Sequence, residues 1–139
     1  MNFIPKQAEE AIQEIPYYDD VTSQDGWQGH TTKKSIESLK ADIMASISRL
    51  GGLVVGFQRG TYTIGETKRE GFQIHYTMEN HNGILFHGQI DIAALPVRAD
   101  YKKRRSFETR CEKSLKMALY MLRQGLDGTW FLQQLSPGY

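Results

Sequence analysis

The chain has 139 residues, 40% of them hydrophobic and 24% charged, with a formal net charge of +1. That is the size and composition of one globular domain, and a mean charge so near zero gives the whole molecule no attraction for a polyanion. A single cysteine, Cys111, excludes an intrachain disulfide framework and a cysteine-based zinc cluster; no apolar run is long enough to span a membrane, and the start at Met1 lacks a secretory pattern. The expected setting is cytoplasmic, without a membrane.

In chain order, Pro5 precedes Ala8, Ala11, Ile12 and Ile15, a spacing that predicts a short amphipathic helix stopped by Pro16. From Tyr17 to His30 no period holds, and Asp19, Asp20, Asp25, Gly26 and Gly29 mark a loop whose Tyr17, Tyr18, Val21 and Trp27 tack onto the core. Residues 1–31 therefore read as a short helix and acidic loop. The globular core, with its C-terminal tail, is 32–139.

From Thr32, the apolar positions Ile36, Leu39, Ile43, Ile47 and Leu50 predict a core-facing helix, with Thr31 or Thr32 as N-cap and Gly51-Gly52 as its end. The period then switches to two. Leu53, Val55 and Phe57 alternate with Val54, Gly56 and Gln58, and Tyr62 and Ile64 prolong this strand. Gly65 to Gly71 reads as an exposed connection. Phe72, Ile74, Tyr76 and Met78 then share one face, and after a turn at Asn80–Gly83 so do Ile84, Phe86, Gly88, Ile90 and Ile92.

Matching those apolar faces restricts the hairpin register. The register chosen pairs Met78 with Ile84, Tyr76 with Phe86, Ile74 with Gly88 and Phe72 with Ile90. Gly88 would then let a large ring approach closely. On the polar face the same register sets His75 against His87 and Gln73 against Gln89.

Pro96 lies in a connection, and Phe107, Cys111, Leu115, Ala118 or Leu119, and Leu122 then form the seam of a long helix ending at Gly125. A short helix or turn from Asp127 follows. The expected fold is α+β in two layers: a three-stranded antiparallel sheet with helices packed on one face, in the order α-α-β-β-β-α.

The charge is distributed unevenly. Arg98 to Arg123 holds nine bases against three acids, whereas the rest of the chain holds eight bases against thirteen acids. At about 100° per residue, Lys102, Arg105, Lys113 and Lys116 share one side of the long helix, opposite its apolar seam. Lys103 adjoins them, and Lys68 and Arg69 lie in the connection between the first two strands. These seven residues are the candidate nucleic-acid-binding set, since a phosphate backbone is held by several cations acting together.

A helix from Thr32, three antiparallel strands from Leu53 to Ile92, and a second helix opened by Lys102, Lys103, Arg104 and Arg105 make a chain that resembles the double-stranded RNA-binding domain. The resemblance covers about 90 residues and is one of topology. It implies that the basic helix start sits over phosphates and that the loop containing Glu66 to Glu70 enters a minor groove.

Other chemistry finds less support. His75 and His87 begin a metal site, but Asp91, the nearest further ligand on that face, sits about 13 Å along the strand from His87, so no metal or other cofactor is expected. Ser46, Ser48, Ser106 and Ser114 lie on helices, and Cys111 on an apolar seam. No phosphate-cradling loop is present. The chain thus reads as a non-enzymatic domain that binds nucleic acid or another polyanion through its basic helix. The alternative is a protein-interaction or oligomeric module without a nucleic-acid ligand, because a three-stranded sheet leaves two edges open to a second copy. The acidic stretch from Met1 to His30 would in that case shield the basic helix, within the chain or across a dimer.

Overall fold

The computed structural model describes residues 15–22, 24, 26–30, 32–65, 67–99 and 106–135. All but the last residue of the helix expected over 5–15 lies outside that set, as do Lys102, Lys103 and Arg105.

Helix α1 (Ile36–Arg49) begins where Ser35, extended at ψ 160°, accepts the Ser38 amide on its hydroxyl at 3.1 Å. The cap is therefore Ser35 rather than Thr31 or Thr32, because it is the serine hydroxyl that satisfies a free amide of the first turn. Gly51 ends the helix at φ +94°, in the left-handed region that costs glycine least. Leu39, Ile43 and Ile47 face inward and are buried.

Three antiparallel strands follow, β1 (Gly52–Ile64), β2 (Thr67–Glu79) and β3 (Leu85–Ala93), with β2 in the centre. Gly65–Gly71 is not an exposed connection. Ile64 pairs with Thr67 and Thr61 with Glu70, so the ladder runs almost to the turn, where Gly65 takes φ +62°. Charged side chains at that end of the ladder leave no apolar alternation from which to predict a strand.

β1 also departs from simple alternation. Val54 pairs with Tyr76 and Gly56 with His75, which leaves Val55 as a bulge. The extra residue reverses the faces upstream of it: Val54 and Phe57 pack on the core, while Leu53 and Val55 are 66% and 56% exposed. Leu53 and Val55 are thus not core residues.

Asn80 fixes the second hairpin. Its Oδ1 accepts from the Asn82 and Ile84 amides at 2.9 and 3.0 Å, its own amide donates to Ile84 O at 2.9 Å, and Gly83 takes φ +78°. This loop is centred one residue later than expected and moves the register by two residues: Met78 pairs with Phe86, Tyr76 with Gly88, Ile74 with Ile90 and Phe72 with Ile92. A shift of two preserves the faces, so the core composition is unchanged. His75 now opposes Gln89 and His87 opposes Thr77, which puts the two imidazoles on a diagonal.

Helix α2 (Phe107–Leu135) runs through Gly125, and the short helix expected from Asp127 is its continuation. Ser46 of α1 donates to Asp127 Oδ1 at 2.6 Å and Arg49 Nη2 donates to the same atom at 2.6 Å. These bonds lock the last turns of α2 onto α1 and offset the roughly 1 kcal/mol by which a glycine disfavours a helix. Leu115 and Leu119 meet Leu39, Ile43, Phe72 and Ile74 in the main core, whereas Phe107 is 43% exposed. Both helices cover one sheet face. The architecture is the expected α+β one. A smaller cluster of Tyr18, Val21, Leu95 and Met117 anchors the loop that precedes α1.

Gly88 lies under the hydroxyl end of the ring of its cross-strand partner Tyr76, and a β-carbon there would collide with it. Gly88→Ala is expected to lower stability by about 1–3 kcal/mol through overpacking. Urea denaturation checks this, with the Gly88→Ala, Tyr76→Leu pair losing less than the two single changes together.

Candidate functional site

Three arginines of the basic segment are committed internally. Arg110 donates to Asp19 Oδ1 at 2.6 Å, and the two side chains are only 6% and 1% exposed. Arg98 pairs with Asp20 at 2.8 Å, stacks its guanidinium 4.2 Å from the Tyr17 ring, and donates its amide to Asp19 at 2.9 Å. Arg123 lies 3.5 Å from both Asp42 and Asp127. The acidic loop therefore neutralises part of the basic segment in cis.

The candidate cations are placed differently from one another. Lys113 and Lys116 are half-buried on α2, and Lys68 is exposed on β2. Arg69 turns its guanidinium onto Ala94 O at 2.7 Å and Ala93 O at 2.9 Å, joining β2 to the chain beyond β3. Glu112, on the flank of α2, faces Arg59 of β1 at 3.6 Å.

On the open sheet face a polar array forms that the sequence reading did not assemble. Tyr62 reaches across all three strands, its hydroxyl lying 2.8 Å from Asp91 Oδ1 and 3.0 Å from Phe72 O. This is possible because its ring crosses Gly71, where a β-carbon would collide with it. Gln73 donates to Asp91 Oδ1 at 3.1 Å and Gln89 to Oδ2 at 2.9 Å, while Gln73 Oε1 lies 2.8 Å from His75 Nε2. The Tyr62 hydrogen bond, followed by those of Gln89 and Gln73, holds the Asp91 carboxyl below its ordinary range. Burial, and then the hydrogen bond to Asp91, pushes the Tyr62 phenol up to about 12. At neutral pH Asp91 is charged and Tyr62 is protonated, so the array acts as a fixed brace.

His75 thus has a partner within the sheet. Among the described residues no group of three His, Cys, Asp or Glu is positioned to hold a metal ion. Burial pushes the Cys111 thiol up, in keeping with a packing role.

Among the described residues no strand lies beside the outer edge of β3. Asn80 N bonds Ile84 O and Ala94 N bonds Glu70 O, so the even-numbered residues between them direct their backbone groups to β2. Leu85, His87, Gln89, Asp91 and Ala93 direct theirs outward, the Ala93 carbonyl already accepting one bond from Arg69. Beside this edge lies an apolar groove of about 630 Å³, lined by Ile90, Ile92, Met117, Ala118, Met121 and Leu122, with Ile15, Pro16 and Trp27 at its margin. The sequence signal for this edge is the run Leu85–Ile90, which has no Lys, Arg, Asp, Glu or Pro.

No family model, curated protein or solved structure matches this chain. The likeness to the double-stranded RNA-binding domain rests on element order, and the loop that would enter a minor groove is here the short link between Ile64 and Thr67.

The Tyr62 brace has a pH signature. Its folded value of about 12 lies above the ordinary 10, so its stabilising contribution is complete below pH 10 and disappears as pH rises toward 12. Phenolate absorbance should show one late-titrating tyrosine, and Tyr62→Phe should remove that late component.

Proposed function

We propose that this chain is a protein-interaction module whose binding element is the outer edge of β3. Its ligand is an extended segment with apolar side chains at alternate positions. The supporting observation is the juxtaposition of five outward-directed residues of backbone, Leu85, His87, Gln89, Asp91 and Ala93, with the apolar groove between β3 and α2. A strand added at the edge gains main-chain hydrogen bonds, and every second side chain enters the groove. β1 is the poorer template, because the bulge at Val55 breaks its ladder.

The test is a titration of short peptides with alternating apolar residues, followed by amide chemical shifts. Shifts at the odd-numbered amides of 85–93 and along 117–122 are expected. In monomeric protein, shifts confined to β1, or none, reject the reading.

Polyanion binding is the second reading, favoured by Lys113 and Lys116 standing partly exposed on α2, in the helix that follows Lys102, Lys103 and Arg105 in the chain. Binding of single- or double-stranded nucleic acid should weaken steeply as salt rises, and weaken further in Lys102→Glu, Lys116→Glu protein. Absence of binding at low salt removes this reading.

A further inference from the structure

The occupant of the β3 edge follows from the strand's own sequence. We infer that it is β3 of a second copy, paired antiparallel about a two-fold axis through Gln89; this rests on the edge reading above. Outward backbone groups of one strand meet those of the other only when odd-numbered residues pair with odd-numbered ones. Among such registers, one uses all of Leu85–Ala93: Leu85 opposite Ala93, His87 opposite Asp91 and Gln89 opposite its own copy.

That register is complementary on both faces. On the helix side Phe86 meets Ile92 and Gly88 meets Ile90. Phe86, 42% exposed in the single chain, then stands beside the second copy's groove of Ile90, Ile92, Met117 and Met121. On the open side each His87 meets an Asp91. That carboxylate accepts two bonds on Oδ1 but only one, from Gln89, on Oδ2, which leaves a lone pair for an imidazole N–H. The neighbouring registers are poorer: a slip one way puts Leu85 against Asp91, and a slip the other way leaves Leu85 without a partner. Charge and apolar pattern therefore select the same alignment. The product is a continuous six-stranded sheet with all four helices on one side, since a two-fold axis normal to the sheet keeps like faces together.

Sedimentation equilibrium of the full chain should show a dimer. His87→Asp places two carboxylates in each of the two cross-strand pairs and should weaken it roughly a hundredfold, with circular dichroism unchanged. In a Cys111→Ser background, Gln89→Cys should form an intermolecular disulfide under mild oxidation, because residue 89 faces its own copy about 5.5 Å away at Cα. His87→Cys should not, since its copy lies four residues, about 13 Å, along the strand. Crosslinking through residue 87 in preference to 89, or a dimer indifferent to His87→Asp, overturns the proposal. A monomer that still binds alternating peptides at the odd-numbered amides overturns the second copy as occupant and leaves the edge reading standing; a monomer that binds no peptide overturns both.

Discussion

Everything else in the structure depends on the burial of one face of β2. Phe72 and Ile74, in the central strand, are covered by Leu39 and Ile43 from α1 and by Leu115 and Leu119 from α2. Three strands cannot close on themselves, and the two helices cover one face, so among the described residues the same constraint that makes the core leaves an open face and two edges. The open face is stabilised by polar bonds from Tyr62 to Asp91 and from Gln73 to His75. One edge is interrupted by the bulge at Val55. The other is neither bulged nor charged over Leu85–Ile90, and it is there that a partner has most to gain.

The ion pairs put a different light on the basic segment. A charge count over Arg98–Arg123 describes an electrostatic patch only if the charges remain exposed to solvent. Arg110 does not, since it is buried against Asp19 and also donates to Arg98 O at 3.1 Å. Arg98 and Arg123 bridge elements: one ties the strand exit to the acidic loop, the other ties α2 to α1 through Asp42. Removing one partner of a buried pair strands the other charge in a low-dielectric site, a cost of about 3–5 kcal/mol. These arginines therefore serve first as fasteners.

Much of this fold was legible in the periodicities, because a helical stripe such as Leu39, Ile43 and Ile47 and an alternating one such as Phe72, Ile74 and Tyr76 arise directly from burial of one face. What escaped was geometry carried by single residues. Val55 reads as one more apolar alternation, yet as a bulge it exchanges the faces of β1. Asn80, whose side chain replaces a backbone acceptor for two amides, centres the turn one residue later and so puts His75 opposite Gln89 instead of His87. Gly125 reads as a helix stop, but Asp127 two residues later is held by Ser46 and Arg49, a tertiary contact that no local pattern reveals. The β3 edge was legible only in general terms. Two unpaired edges follow from three strands, but which of them is the better template depends on the bulge.

The two ends of the sheet complete the contrast. At the end near Gly71, Tyr62 reaches over to Asp91 and Arg69 grips the carbonyls of Ala93 and Ala94, so side chains cross-brace the strands. At the hairpin end the braces stop, and Leu53, Val55, Ile84, Leu85 and Phe86 stand exposed. These five lie on both outer strands and on both faces, so the hairpin end is apolar without being one patch. Bracing at the Gly71 end holds β3 extended and meets its outer side only at the Ala93 carbonyl, where Arg69 donates. A strand kept straight by contacts on its inner neighbour loses little further freedom on pairing, which favours association at that edge.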